Sequence, residues 1–230
     1  MLHKPMIAKR KHSKTAGFTL VELMVVIVIV AVLASIAFMV GSRAIAKASK
    51  TQALQQMRDL SQGFAAYATD YNHPPIPGGK KPGSNRTEAP GWDTIYGDPP
   101  QPNRNYGNEP IIVSLMGTSE QAFRMDNGET FYAEDLNPKG EQYINFPFAP
   151  DNKNGVGEDG RLYDPWGREI IIAINAHAPN SPTHERILQT YGLGEWSDKK
   201  PRYEQYAFWS YGKDGEKAET YANSDDVAHW

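Results

Sequence analysis

The sequence predicts an α+β protein in which one long N-terminal helix, first membrane-spanning and then amphipathic, carries a small C-terminal antiparallel β-sheet head. Three observations predict it. Phe18 to Val40 is a run of twenty-three residues whose only ionisable side chain is Glu22. Beyond it, apolar residues recur at three- and four-residue steps as far as Tyr71. In the last third, short β-branched and aromatic runs are bounded by turn residues.

The helix is the strongest of these. At ~1.5 Å per residue, residues 18–40 reach roughly 35 Å, enough to cross a bilayer once. Residues 1–17 hold five cations (Lys4, Lys9, Arg10, Lys11, Lys14) and no acid, so the positive-inside rule keeps them in the cytoplasm. Such a leader is an address rather than part of the fold. In residues 41–71, Leu54, Met57, Leu60, Phe64, Tyr67 and Tyr71 line one face while Lys50, Gln52, Gln55, Arg58 and Asp59 fill the others, the pattern of a helix packed on a head. Asn72-His73-Pro74-Pro75 stops it, because proline lacks the amide donor and disfavours helical geometry before it. A continuous helix from Phe18 to about Tyr71 would be roughly 80 Å long.

Residues 72–230 form the expected head. The proline- and glycine-rich stretch from Pro74 to Pro110 reads as an irregular excursion with no regular core element. Glu109 to Met116, with Ile111, Ile112 and Leu115, predicts a second helix ending at Gly117. Ile144 to Phe148 is a short apolar patch. Asp151-Asn152-Lys153-Asn154-Gly155 after it resembles a calcium loop only superficially, since Lys153 occupies the third ligand position, and it reads as a solvated turn. Glu169 to Asn175 and Tyr206 to Tyr211 are strands, Arg186 to Tyr191 is a weaker one, and Ala176 to Gln205 is mostly loop.

A carboxylate within a membrane run costs about 2.5–3.5 kcal/mol, so Glu22 asks for a partner. A cut after Gly17 supplies one, because the new α-amino group of Phe18 lies one helical turn from Glu22 and can be neutralised in its own chain or by a neighbour. Gly17, lacking a Cβ, lets the backbone enter a tight protease cleft. Ser35-Ile36-Ala37 also offers small residues to a general signal peptidase, but the apolar region exceeds the roughly 7–15 residues of a signal core.

Gly17-Phe18-Thr19-Leu20-Val21-Glu22-Leu23 resembles the prepilin-type processing signal of type IV pilins and of the pseudopilins of type II secretion. The resemblance implies a pilin-like lollipop fold, cleavage between Gly17 and Phe18 by a prepilin peptidase, N-methylation of Phe18, and a role for Glu22 in setting helix stagger during assembly. Leu162-Tyr163-Asp164-Pro165-Trp166-Gly167-Arg168-Glu169, Ser210-Tyr211-Gly212-Lys213-Asp214-Gly215 and the C-terminal Ser224-Asp225-Asp226-Val227-Ala228-His229-Trp230 are similar to segments of the major pseudopilin head. From its residues alone, Pro165 and Gly167 make a turn and Trp166 is an apolar plug fixing the sheet edge. The family's calcium ligands fall on Asp214 and Asp226, with Asp225 a further candidate, although Glu216 to Ala222 lacks the family's glycine-rich spacer.

Composition agrees with an anchored extracytoplasmic head. The formal charge of −3 becomes −8 once the leader's five cations go, leaving 19 Lys plus Arg against 27 Asp plus Glu, which disfavours nucleic acid as a partner. There are no cysteines, in a compartment that would permit disulfides. No phosphate loop, His-Glu-x-x-His helix or Gly-x-Ser-x-Gly elbow occurs. His73, His177, His184 and His229 lack metal spacing, and Glu134-Asp135 and Glu158-Asp159 read as solvated pairs, so no enzyme is expected. His184 and Asp198 with a serine make a triad only on paper.

The expectation is a single-pass bacterial inner-membrane protein with a cytoplasmic N-terminus and a periplasmic head. It polymerises as a type II secretion pseudopilus subunit. Its partners are the prepilin peptidase, other pseudopilin subunits and the inner-membrane assembly platform. A type IV pilin or minor pilin serving adhesion, motility or DNA uptake is the alternative, and an anchored enzyme or binding module is a third.

Overall fold

The computed structural model describes residues 17–77, 94–97, 107–118, 122–124, 130–174 and 206–229. Helix α1, Leu20–Tyr71, is a single helix of 52 residues. Its first part, in a compact unit ending at Ile45, exposes almost every apolar side chain from Leu20 to Ile45. Among the described residues it is the one helix long and apolar enough to cross a membrane. It ends where predicted, with Asn72 in the left-handed region at φ 55° just after the last turn.

The second unit, from Ala46 to the C-terminus, is built on the remainder of α1. Of the face read from sequence, Met57, Leu60, Phe64 and Tyr67 are fully buried and Leu54 and Tyr71 partly so, while Ala53 is fully buried beside them. They meet a four-stranded antiparallel sheet of order β1 (Thr94–Tyr96), β6 (Ile171–Ile174), β7 (Tyr206–Ser210) and β8 (Val227–His229). The register pairs Ile172 with Tyr96 on one side and with Phe208 on the other. Phe64 packs edge-on to Phe208 at 5.1 Å and tilted to Tyr206 at 5.2 Å, arrangements that suit the ring quadrupoles. Strand β6 is buried at all four positions, which explains its unbroken aliphatic reading.

Helix α2, Glu109–Leu115, forms as predicted and buries Ile111, Ile112 and Leu115 in the same core. Two ribbons complete the unit: β2 (Ala122–Arg124) with β3 (Thr130–Tyr132), and β4 (Gly155–Val156) with β5 (Leu162–Tyr163). A short helix α3, Ala133–Leu136, follows β3. Residues 143–146 lie directly on α1 at Gly63, where an added Cβ would collide with the Ile144 side chain and touch the Tyr143 carbonyl.

One expectation needs correction. The Pro74 to Pro110 stretch does contain a core element, since β1 pairs with β6 over three residues and buries Tyr96. Three residues between turn-formers are too short to show the alternation that marks a strand. Trp166 is half-buried and packs against the core cluster. Residues 151–154 of the calcium-like Asp151–Gly155 segment form a turn, exposed over 151–153 and with Asn152 and Asn154 in the left-handed region, and Gly155 is buried at the start of β4. The weaker strand Arg186 to Tyr191, the loop from Ala176 to Gln205 and the leader up to Ala16 lie outside the described residues.

Candidate functional site

The N-terminal junction begins with Gly17 and Phe18 in non-helical backbone, both exposed, with open space around the position of a Gly17 Cβ. Helix α1 starts two residues after Phe18, and the start is closed by a reciprocal cap. The Thr19 amide donates to Glu22 Oε2 at 2.8 Å, the Thr19 hydroxyl donates to the same oxygen at 2.7 Å, and the Glu22 amide donates to Thr19 Oγ1 at 3.3 Å. This is the Thr-x-x-Glu capping box, in which both ends of a first turn satisfy donors that helix geometry leaves unpaired. The Thr-x-x-Glu spacing of residues 19 and 22 is itself a sequence signature of a helix start. In this uncut chain the Glu22 carboxylate therefore turns back on its own helix start.

The C-terminal segments that carried the sequence resemblance come together. Asp164 is fully buried at the turn after β5, where Oδ1 accepts the amides of Trp166 at 2.8 Å and Arg168 at 2.9 Å. Its Oδ2 accepts the hydroxyl of Ser210, at the end of β7, and the Ser210 oxygen in turn accepts the Gly212 amide at 3.1 Å. Burial raises the Asp164 pKa, with the Ser210 hydroxyl and the turn amides opposing. The Asp-Pro-Trp-Gly motif thus ties one turn to another through a carboxylate.

From Ser210 the chain runs into the turn bearing Asp214 and returns through Asp225 and Asp226 to β8. Asp225 Oδ2 accepts the amides of Lys213 at 2.5 Å and Asp214 at 3.2 Å, while Asp214 Oδ1 accepts the amide of Glu216 at 2.9 Å. Gly212, at φ 62°, lets the two limbs approach: a Cβ there would stand 2.6 Å from the Asp225 carbonyl. Asp226 is fully buried, and its Oδ2 accepts the Ala218 amide at 2.9 Å. Its Oδ1 has no hydrogen-bond partner among the described residues. Burial raises its pKa first, and the charges of Asp225 and Asp214 push in the same direction against the Ala218 amide and the Ser224 side chain.

The three predicted carboxylates therefore do share one corner, and the bonds above use one oxygen of each. Asp226 Oδ1 is thus a buried polar atom that the described residues leave without a hydrogen bond, on a carboxylate whose charge is opposed by those of Asp225 and Asp214. Among the described residues, no group of three His, Cys, Asp or Glu side chains could hold a metal by itself. A cation here would have to draw backbone carbonyls into its shell alongside the acids, as calcium's six to eight oxygens permit.

A second polar hub escaped the sequence altogether. Asn108 is fully buried and its side chain pairs with the backbone of β5 and its neighbour: Nδ2 donates to the carbonyls of Leu162 at 3.1 Å and Ile170 at 2.8 Å, and Oδ1 accepts the Leu162 amide at 2.9 Å. An Asn before Glu-Pro looks like a helix cap, yet it makes no side-chain cap bond to α2. Arg161 lies beside it, 3.1 Å from Glu109, 3.5 Å from Glu169 and 3.8 Å from Asp159. These acids are braced against a cation within the unit, consistent with a structural rather than a catalytic role.

Residues 12–38 match the family described as the prokaryotic N-terminal methylation motif. The match spans the leader's end, the Gly17-Phe18 junction, the capping box and most of the exposed apolar run. This motif is the prepilin-type signal of type IV pilin-like proteins. With the hydrophobic start of α1 it points to a membrane-anchored structural protein. Neither the curated proteins nor the solved structures contain a match to the chain.

Proposed function

We propose that this chain is a structural subunit of a type II secretion pseudopilus. The observation that carries the proposal is the methylation motif running directly into an exposed apolar helix, which continues unbroken into the core helix of a globular unit. In this reading a prepilin peptidase removes residues 1–17 and methylates the Phe18 amine. Residues 18–40 remain in the inner membrane with the head on the periplasmic side. The Glu22 carboxylate, released from its cap, pairs with the Phe18 amine of its own chain or a neighbour and sets the register. Other pseudopilin subunits and the inner-membrane assembly platform are the partners.

The secretion assignment is supported by the head's chemistry. With no cysteine to close the C-terminal loop, the Asp214, Asp225 and Asp226 corner takes that role, and we propose that it does so with calcium. Asp226 Oδ1 and the remaining oxygens of Asp214 and Asp225, helped by backbone carbonyls, would hold it. The ion would supply the positive charge that three crowded carboxylates lack.

Deletion of the gene tests the function. Exported proteins are expected to accumulate in the periplasm, and overexpression to give short filaments. Intact secretion with loss of adhesion, motility or DNA uptake would instead make the chain a type IV pilin.

A further inference from the structure

Sixteen residues, 211–226, join β7 to β8, although the two strands pair directly from Ser210 and Val227. Hairpin loops usually need two to five residues, and loops beyond about 12–15 are uncommon unless they have work of their own. This one is stitched internally by the Asp225 and Asp226 carboxylates and by a 3-10 turn at Tyr221–Asn223. Its ties to other elements include two cations, each donating to a loop carbonyl. Arg168 Nη2 donates to the Asp214 carbonyl at 3.3 Å in an exposed position. Lys50 Nζ, from α1, donates to the Ser224 carbonyl at 3.0 Å and stands 5.0 Å over the Tyr221 ring.

The Lys50 contact is the stronger of the two. It is shorter and half-buried, it joins a hydrogen bond from a charged donor to a cation–π contact, and it falls on the carbonyl that follows the 3-10 turn. The loop it grips carries five acids (Asp214, Glu216, Glu219, Asp225, Asp226) against two lysines, so a cation on the helix also meets a favourable field. Ser224 and Asp225 are adjacent, so whatever fixes the Ser224 carbonyl also fixes the limb that returns to the acidic corner.

We infer that residues 211–226 are a strap and that Lys50 is the catch holding it shut on α1, independently of any metal. The sheet does not need the catch. Strand β7 pairs with β6 over four residues and with β8 over three, and Phe208 is locked against Phe64, so the strap opens as a unit while the core stays closed. Lys50 precedes the first fully buried residue of α1, Ala53, by only three positions. The strap therefore fastens where α1 enters its core.

The test is hydrogen–deuterium exchange on the full-length protein in detergent micelles, with chelator present throughout so that the outcome does not depend on the calcium proposal. Lys50→Met keeps the aliphatic stem and removes the donor, while Lys50→Arg keeps a cationic donor. Peptides covering 211–226 are expected to exchange about tenfold faster in Lys50→Met, with peptides covering 53–67 unchanged and Lys50→Arg close to wild type. Strap exchange in Lys50→Met equal to wild type would overturn the inference. Equal acceleration in the strap and in 53–67 would overturn it too, since that is global destabilisation rather than release.

Discussion

Replacing Glu22 separates what the carboxylate does for its own helix from what it does for assembly. In the uncut chain it accepts the amide and hydroxyl of Thr19, a cap whose loss costs about 1 kcal/mol. Against that, a carboxylate in a membrane run carries a penalty of about 2.5–3.5 kcal/mol. That penalty is for the helix centre and bounds Glu22, in the first turn, from above, so Glu22→Ala gains at most about 2 kcal/mol toward insertion, a factor of up to roughly thirty. Glu22→Gln is sharper still, because glutamine serves equally well in a capping box, so the turn is kept and only the charge is lost. Both variants are expected to insert and to be cleaved at least as completely as wild type, yet to form few polymers when membranes are treated with a crosslinker. A normal ladder of crosslinked multimers for Glu22→Gln would show that the charge has no part in register. A normal ladder for Glu22→Gln but not for Glu22→Ala would assign the function to the cap.

Three further outcomes follow from the globular unit. Asn108→Ala removes three side-chain bonds to buried backbone groups and should lower stability by about 3 kcal/mol or more, read as a shifted midpoint at unchanged slope in urea. A calcium concentration a hundredfold above Kd should stabilise the wild-type protein by about 2.7 kcal/mol, with the gain lost in chelator and in Asp214→Ala; a melt indifferent to both calcium and chelator removes the metal from the account. In chelator, Asp226→Asn should melt above wild type at neutral pH, because it removes a buried charge opposed by Asp225 and Asp214. A raised folded-state pKa means that the carboxyl's contribution is complete below its unfolded pKa and is lost as pH rises through the folded value. The advantage of Asp226→Asn should accordingly shrink as pH falls toward the ordinary carboxylate range, and a gap independent of pH would mean that Asp226 is not the titrating group.

Sequence made the long-range architecture legible where periodicity is long and composition extreme. Helix α1 shows its membrane run, its amphipathic face and its proline stop over fifty residues, and β6 and β7 stand out as β-branched and aromatic runs. Strands of two or three residues carry no such signal, which is why β1, the β2–β3 and β4–β5 ribbons and β8 have no strand signature in the sequence. The acidic corner was found because three carboxylates sat in segments with a family resemblance. Its cationic ties were not, because Lys50 is 174 positions from Ser224 and Arg168 is 46 from Asp214. Asn108 and Asp164 were missed for a related reason: a single polar residue whose partners are distant backbone groups looks like any turn residue until the fold brings those groups to it.

The intact mass of the protein extracted from membranes tests the central claim most directly. The account predicts a chain lacking residues 1–17 and heavier by one methyl group, with fragmentation placing that methyl on the Phe18 amine. A mature chain beginning at Phe38, or an uncut chain in cells with an active prepilin peptidase, would contradict it.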